Sequence, residues 1–191
     1  LTVLRIVLVP VFGWMLLAHA HEGSWRSAST IVFIVAILTD FVDGRVARKY
    51  NLVTNFGKIW DSVADKALTG MAFIGLSILG ELPWWMTILI LLREWGITLM
   101  RFWVIRHGVM PAGRGGKLKT VLQALSLGLL TAPLSTLPGG GVVLAVVYVV
   151  LGAAVVLTVL TGIEYVRDAL ALRRTSARTA AKRARRAEAR P

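Results

Sequence analysis

The chain has 191 residues, of which 56% are hydrophobic, with a net charge of +12 and a mean hydropathy of +0.70. A soluble domain of this length keeps a mostly polar surface, and this chain has too little polar sequence to supply one. The absence of cysteine excludes a disulfide framework and a thiolate metal site. We therefore interpret the chain as a membrane protein.

Long apolar stretches follow one another along the chain and show no strand-like alternation. A helix that spans a membrane needs about 20 mostly apolar residues. Segments rich in glycine and proline separate the later stretches. The predicted spans are 3–20, 28–42, 62–79, 84–105, 118–137 and 142–165. The sequence therefore predicts an all-α, polytopic membrane protein, with a six-transmembrane-helix bundle in 1–166 and a basic cytoplasmic tail in 167–191.

The basic residues lie almost entirely on one side of the predicted bundle. They occupy the 44–60 loop, the 106–119 loop and the tail, whereas Arg26 is the one lysine or arginine in the opposite loops. Cytoplasmic loops carry such an excess, so both termini are predicted to lie in the cytoplasm and the protein to be multi-pass in the cell membrane. The net positive charge of the chain is explained by this topology and by the basic tail, which is suited to bind anionic lipid. The charge is therefore no argument for nucleic acid as a partner, and we expect none.

Four aspartates lie within one short window on this cytoplasmic side. Asp40 and Asp43 share one face at the end of the second span, and Asp61 and Asp65 share one stripe at the start of the third. A short loop joins the two helices, so we expect antiparallel neighbours whose carboxylates converge. Four such charges repel one another unless cations bind. Oxygen-only ligands favour two hard ions, Mg²⁺ or Mn²⁺, and an ion pair about 4 Å apart suits displacement at phosphorus.

Small residues accompany the aspartates on both helices. Gly44, Ala47 and Gly57 leave room for a bulky substrate, and Arg48 is suited to pair with phosphate. The alternative is that the aspartates are juxtamembrane surface charges paired with neighbouring basic side chains. Two acidic pairs on adjacent helices, each with glycine on its stripe, favour a functional site.

The aspartate window also carries a resemblance to a known family. It follows the pattern D-x2-D-G-x2-A-R-x8-G-x3-D-x3-D without a departure, at Asp40, Asp43, Gly44, Ala47, Arg48, Gly57, Asp61 and Asp65. This resembles the signature of the CDP-alcohol phosphotransferases, integral membrane enzymes of phospholipid synthesis. The resemblance covers nearly the whole chain before the tail, although the Pro-Asn that commonly precedes the first span is missing. LLREWGITLMR and GGKLKTVLQ are similar to the branch whose acceptor alcohol is glycerol 3-phosphate.

The resemblance implies a reaction and a role for each matched residue. Asp40, Asp43 and Asp61 would hold two divalent ions, with Asp61 bridging them, and Asp65 would complete the second metal site and act as general base. The phosphatidyl group of CDP-diacylglycerol would pass to glycerol 3-phosphate in a homodimer within the lipid bilayer, releasing CMP. The residues implied to line the CDP-diacylglycerol site are Gly44, Ala47, Arg48, Thr54 and Gly57.

A second group of charged residues lies outside the aspartate window. Glycerol 3-phosphate arrives from water as a dianion, so its site needs cations near the metal-bound diphosphate. The candidates for binding the acceptor phosphate are Arg93, Arg101, Arg114, Lys117 and Lys119. The alternatives are that Glu94 and Arg101 pair within the bundle and that the 114–119 cluster only fixes topology.

Other functions remain open from the sequence alone. Within the family, a cardiolipin synthase would use phosphatidylglycerol as acceptor, and inositol phosphate is a third possible acceptor. Membrane prenyltransferases also bind Mg²⁺-diphosphate, but their two acidic motifs lie far apart in a longer chain. A cation transporter would need a polar path across the bundle, and the last two spans offer almost none.

Overall fold

The protein is an all-α structure in the computed structural model, which describes the backbone of 2–49, 55–104, 115–134 and 138–175. Within these ranges the side chains of 4–39, 62–100, 118–134 and 138–171 are described, and no strand occurs. The helices are α1 (Thr2–Ala18), α2 (Gly23–Lys49), α3 (Asn55–Ile78), α4 (Trp84–Val104), α5 (Gly115–Thr131) and α6 (Gly140–Thr175). Over the described residues, the all-α part of the predicted fold class is confirmed, with six helices.

The helix bounds differ from the predicted spans at both ends of α2, at the start of α3 and at the ends of α5 and α6. Helix α3 begins at Asn55, before the apolar run at 62, so Asp61 and Asp65 lie inside the helix. Helix α6 continues past 165 to Thr175 and carries the beginning of the predicted tail as helix. Sequence reasoning placed these bounds where the apolar composition changes, but helical hydrogen bonding continues through polar residues.

One helix in the described part of the chain is long and apolar enough to cross a membrane by composition. It is the segment Gly140–Ala171 of α6. The apolar parts of α1, α2 and α5 are shorter, at Leu4–Ala18, Gly23–Thr39 and Leu118–Thr131. Charged residues interrupt the apolar course of α3 and α4. The six-span bundle therefore stays a prediction.

Helix α3 holds the centre of the fold, because it contacts α1, α2, α4 and α5. Its side chains Leu68, Ala72, Phe73 and Leu76 are almost fully buried in the main hydrophobic cluster. Burial of this kind stabilises the fold by about 1.5–3 kcal/mol for each large apolar side chain. The first turns of the same helix carry Asp61 and Asp65.

Helices α1 and α3 run parallel and in close contact. Gly13 lies against Met71 and Leu16 against Gly75, so the residue numbers rise together along the two helices. A Cβ atom at Gly75 would lie 2.8 Å from Leu16 Cδ2, so the absence of a side chain permits this approach. Helix α2 returns between them in the chain, which places the start of α1 and the start of α3 at the same end of the molecule.

The turn after α3 positions an acidic residue at the opposite end. Gly80 adopts φ +74°, a left-handed conformation that glycine takes without strain. The Gly80 N–H donates to Ser77 O at 3.1 Å, and the Glu81 N–H donates to Leu76 O at 3.0 Å. These are the two hydrogen bonds of a Schellman cap. They end α3 at residues 80–83, GELP, one of the segments with glycine and proline between the predicted spans. The cap fixes the backbone of Glu81.

Arg26 joins four parts of the chain at this end. Its guanidinium forms an ion pair with Glu81, in which Nη2 donates to Oε2 at 2.8 Å. The same group donates to Leu130 O at 2.8 Å and to Thr131 O at 3.3 Å. Tyr148 on α6 donates its hydroxyl hydrogen to the Glu81 carbonyl. Arg26, the basic residue predicted for the non-cytoplasmic loops, is thus neutralised by Glu81. Together the two residues connect α2, the α3–α4 turn, α5 and, through Tyr148, α6.

Aromatic side chains gather at the same end. The His19 ring stacks on Trp25 with centroids 4.3 Å apart, and Trp14 meets Trp25 edge-on at 5.6 Å. Trp84 and Trp85 at the start of α4 are about half exposed. Tryptophan is enriched where membrane proteins meet the lipid headgroups, so these side chains are typical of an interfacial aromatic belt.

Replacement of Arg26 tests the ion-pair network. We expect Arg26→Met to lower the free energy of unfolding by about 3 kcal/mol, because the Glu81 carboxylate and two carbonyls lose their partner. The measurement is reversible unfolding in detergent followed by circular dichroism. Glu22→Gln is the matched control, since it breaks an exposed pair with His19 at the same end and should change stability little. Equal losses in the two variants would contradict the structural role of Arg26.

Candidate active site

The structure describes the predicted site residues to different depths. Asp65, Arg93 and Lys119 are described with their side chains. For others the structure gives the helix that carries them and not the side chain: Asp40, Asp43, Gly44, Ala47 and Arg48 in α2, Gly57 and Asp61 in α3, Arg101 in α4, and Lys117 in α5. Thr54 and Arg114 lie outside the described residues.

The backbone brings both aspartate pairs to one end of the molecule. Asp40 and Asp43 lie in the last turns of α2, Asp61 lies in the second turn of α3, and Asp65 follows one turn later. Helix α2 contacts α3, and only residues 50–54 separate the end of one from the start of the other. The convergence of the four carboxylates on shared ions stays a prediction.

A cavity of about 230 Å³ opens beside Asp65. Residues of α2, α3, α4 and α5 line it. Its polar lining consists of Asp65, Lys66, Thr69, Glu94, Thr120 and Gln123. Its apolar lining includes Ile37, Phe73, Ile90 and Trp95. A predicted general base therefore faces a small space that holds charged groups between apolar walls, where electrostatic interactions are stronger than in water.

Helix α3 holds its own polar residues in place along this cavity. Lys66 Nζ donates to Ser62 Oγ at 2.8 Å, one turn earlier. Thr69 donates its hydroxyl hydrogen to the backbone carbonyl of Asp65 at 3.0 Å. Both Asp65 and Lys66 lie close enough to Glu94 for their charges to act on its carboxylate. The cavity thus combines two carboxylates with a lysine.

Glu94 connects two of the predicted acceptor cations. Its Oε1 accepts hydrogen bonds from Arg93 Nη1 at 3.0 Å and from Lys119 Nζ. Arg93 Nη2 donates to Thr161 Oγ1 on α6 at 2.9 Å. Lys119 is only 4% exposed, so its ammonium group is paired inside the bundle. The alternative pairing of Glu94 with Arg101 stays a prediction, because the Arg101 side chain lies outside the described ranges. The partners that the structure shows for Glu94 are Arg93 and Lys119.

A further polar pair, Gln123 and Thr158, connects α5 with α6 one turn after Lys119. Gln123 donates from Nε2 to Thr158 Oγ1 at 3.0 Å, and the Thr158 hydroxyl donates to Ala154 O at 2.6 Å. Both side chains are buried, and each has a hydrogen-bond partner as buried polar groups require. These contacts fix α5 against α6 and hold the helix that carries Lys119.

Sequence reasoning overlooked Arg5 as a site residue. Arg5 lies in α1 and is only 3% exposed. Because Gly13 is level with Met71 and each residue of a helix rises about 1.5 Å, Arg5 is level with about residue 63 of α3, between the heights of Asp61 and Asp65. An arginine inside an apolar span is a functional candidate by default, and this signal was present in the sequence. Lys66 was considered only as a surface partner, whereas it lines the cavity.

The residues of the site fit a divalent metal in the chemistry of their donors. Among residues whose side chains are described, no group of three or more His, Cys, Asp or Glu occurs, and the side chains of Asp40, Asp43 and Asp61 lie outside that set. Asp65, the one aspartate of the window that is described, faces a cavity shared with Glu94. Carboxylate oxygens are the ligands that hard divalent cations prefer, so the donor set is compatible with such ions.

Comparison with known proteins identifies the class. The family model for CDP-alcohol phosphatidyltransferase matches residues 1–163. The chain therefore belongs to the CDP-alcohol phosphatidyltransferase family and is a transferase, which confirms the resemblance seen in the aspartate window. Members of this family are integral membrane proteins that generally use divalent metal ions.

Individual relatives point to one branch of the family. The chain is 51% identical over 174 residues to a protein of Mycobacterium tuberculosis named "Probable phosphatidylglycerophosphate synthase", covering 89% of this chain and 79% of the relative. It is 39% identical over 176 residues to the "CDP-diacylglycerol--glycerol-3-phosphate 3-phosphatidyltransferase" of Bacillus subtilis, covering 86% and 90%. A Rickettsia typhi protein of the same name is 38% identical over 170 residues, covering 86% and 92%.

Proposed function

We propose that this chain transfers the phosphatidyl group of CDP-diacylglycerol to glycerol 3-phosphate, forming phosphatidylglycerophosphate and CMP. The observation that carries the proposal is the cavity in which Asp65 of the family pattern lies together with Glu94, and Glu94 in turn holds Arg93 and Lys119. A base for the acceptor hydroxyl and cations for an acceptor phosphate are thus near each other. The names of the relatives support the same pair of substrates.

The proposed setting is a homodimer in the cell membrane, with six spans per chain and with both termini and the active site in the cytoplasm. The membrane domain would comprise 1–166, and the basic tail 167–191. The one-sided distribution of basic residues supports this orientation. The tryptophans at the other end, Trp14, Trp25, Trp84 and Trp85, support the membrane setting, because such residues are enriched at the membrane interface.

The proposed cofactor is a pair of divalent ions, Mg²⁺ or Mn²⁺. Asp40, Asp43, Asp61 and Asp65 would hold them. Bound ions would supply positive charge to the diphosphate and to the departing CMP. On the protein side, the proposed CDP-diacylglycerol contacts are Gly44, Ala47, Arg48, Thr54 and Gly57.

The chemical step proposed for the chain's own residues is proton removal. Asp65 takes the proton from the acceptor hydroxyl, and the resulting oxygen nucleophile attacks the β-phosphorus of CDP-diacylglycerol. A new phosphorus–oxygen bond forms to the acceptor, and the bond from the β-phosphorus to the bridging oxygen breaks, releasing CMP. Apolar side chains of the cavity, including Phe73 and Ile90, limit the entry of water that would compete with the acceptor.

The proposed acceptor site uses the basic cluster next to this cavity. Arg93 and Lys119 are its described members, and they are held by Glu94 on α4. The other proposed members are Arg101, Arg114 and Lys117. An arginine and a lysine held at the depth of Asp65 are suited to bind the phosphate of a small acceptor and to present its hydroxyl to the base.

Metal dependence is the first test. We expect release of CMP from CDP-diacylglycerol and glycerol 3-phosphate to stop in EDTA and to return with Mg²⁺ or Mn²⁺, because the donors are carboxylate oxygens. Addition of Ca²⁺, a larger oxygen-loving ion, serves as the control for metal size. Full turnover in excess chelator would contradict the proposed cofactor.

The role of Asp65 is tested by a substitution that removes its charge and keeps its shape. We expect Asp65→Asn to abolish turnover while some binding of CDP-diacylglycerol persists, since the other three aspartates keep the first metal. The measurements are CMP release and binding of the labelled lipid. Asp168→Asn, the same change at an exposed position of α6, is the control and should leave both unchanged. A near-normal kcat in Asp65→Asn would show that another group is the base.

The acceptor site is tested at Lys119. We expect Lys119→Met to raise the KM for glycerol 3-phosphate about tenfold or more and to change the KM for CDP-diacylglycerol little, because a charged hydrogen bond contributes about 1.5–3 kcal/mol. Lys119→Arg, which keeps the charge, should recover part of the loss. An unchanged KM would move the acceptor site elsewhere, and a preference of the unaltered enzyme for phosphatidylglycerol would favour a cardiolipin synthase.

A further inference from the structure

One carboxylate oxygen accepts hydrogen bonds from two cations in the active-site region, the partly buried Arg93 and the buried Lys119. Glu94 Oε1 accepts from both Arg93 Nη1 and Lys119 Nζ. The side chain of Arg93 is 15% exposed and that of Lys119 is 4% exposed, so neither cation is well solvated. The carboxylate is itself 26% exposed and lines the cavity that contains Asp65. One carboxylate oxygen is thus the shared partner of two cations at the place where the acceptor phosphate is proposed to bind.

We propose that Glu94 takes the place of the acceptor phosphate on Arg93 and Lys119 while the acceptor site is empty. When the acceptor binds, its phosphate displaces Glu94 from Lys119. This inference rests on the proposed function. It assigns to Glu94 a role in tuning acceptor affinity, in addition to holding the cations in place.

The charges in the cavity support an exchange over simple addition. A phosphate placed on Lys119 while Glu94 stays there would bring two anions against one ammonium group, and like charges at such distances repel strongly. Glu94 has cations other than Lys119 within reach. Arg93 is its hydrogen-bonded neighbour, and the charge of Lys66 also acts favourably on the Glu94 carboxylate. Loss of the Lys119 contact therefore leaves Glu94 with a balanced charge.

The exchange has a thermodynamic consequence that separates it from a purely structural role. A buried ammonium without a partner is costly, so the Glu94 carboxylate stabilises the protein before the acceptor binds. The acceptor phosphate must then compete with this contact. Neutralisation of Glu94 removes the carboxylate that competes with the acceptor phosphate and leaves Arg93 and Lys119 without this anion. It should therefore lower the stability of the ligand-free protein and raise its affinity for phosphate.

The test compares Glu94→Gln with the unaltered protein in detergent. We expect a lower melting temperature without ligand, a larger rise in melting temperature on addition of inorganic phosphate, and a KM for glycerol 3-phosphate lowered about tenfold, the size of effect that a charge-assisted hydrogen bond supplies. Thr161→Val is the control, because it removes a neutral partner of the same Arg93. It should lower the melting temperature without strengthening the binding of phosphate.

A second variant keeps the inference testable if Glu94→Gln does not fold. Glu94→Asp keeps the charge but shortens the side chain by one methylene, which weakens its hold on Lys119, so we expect a smaller gain in phosphate stabilisation. A raised KM in either variant, or phosphate stabilisation no greater than in the unaltered protein, would overturn the exchange. Failure of the unaltered protein to release CMP with glycerol 3-phosphate would instead overturn the proposed function, since the comparison with inorganic phosphate needs no turnover.

Discussion

The constraint on which this structure depends is the need to balance charge inside an apolar bundle. An ion far from water is stable only with a partner of opposite charge and with its remaining hydrogen-bonding groups satisfied. The described part of the chain meets this need at both ends of the bundle. Arg26 and Glu81 form a closed group with backbone carbonyls at one end, whereas Glu94 holds two cations beside the cavity at the other. The first arrangement is fully satisfied and structural. In the second, one carboxylate oxygen is shared by two cations, which is the condition for the exchange proposed above.

The central position of α3 links these two ends. Its first turns carry the aspartates, its middle contributes Leu68 and Phe73 to the core, and its Schellman cap presents Glu81 to Arg26. A displacement of α3 along its axis would therefore disturb the ion pair and the candidate site together. Close contact with α1 at Gly75 opposes such a displacement, because Leu16 fills the space that a side chain would need.

The helices and the protein family could be predicted from the sequence, because both depend on the spacing of residues that are close in the chain. Apolar runs predict helices, and the spacing of Asp61 and Asp65 by four predicts a shared stripe. The contacts of Glu94 were less accessible. Arg93 is its neighbour in the chain, but Lys119 lies on another helix, and the orientation of α4 against α5 decides whether the two meet. Helix α3 begins at Asn55, before the apolar span that starts at 62, because helix hydrogen bonds also run through polar residues such as Lys58.

The length of α6 has a mechanical consequence in the six-span arrangement proposed above. Its 36 residues give a rod of about 54 Å at 1.5 Å per residue, whereas the hydrocarbon layer of a bilayer is about 30 Å thick. An upright helix of this length leaves roughly 20 Å of rigid stem outside the hydrocarbon, and a tilted one leaves less. In that arrangement the stem would carry Arg167 to the level of the lipid headgroups and Thr175 beyond them. Arg173 and Arg174, in the last turn of α6, would then stand in the layer of water next to the headgroups, from which a water-soluble acceptor would enter.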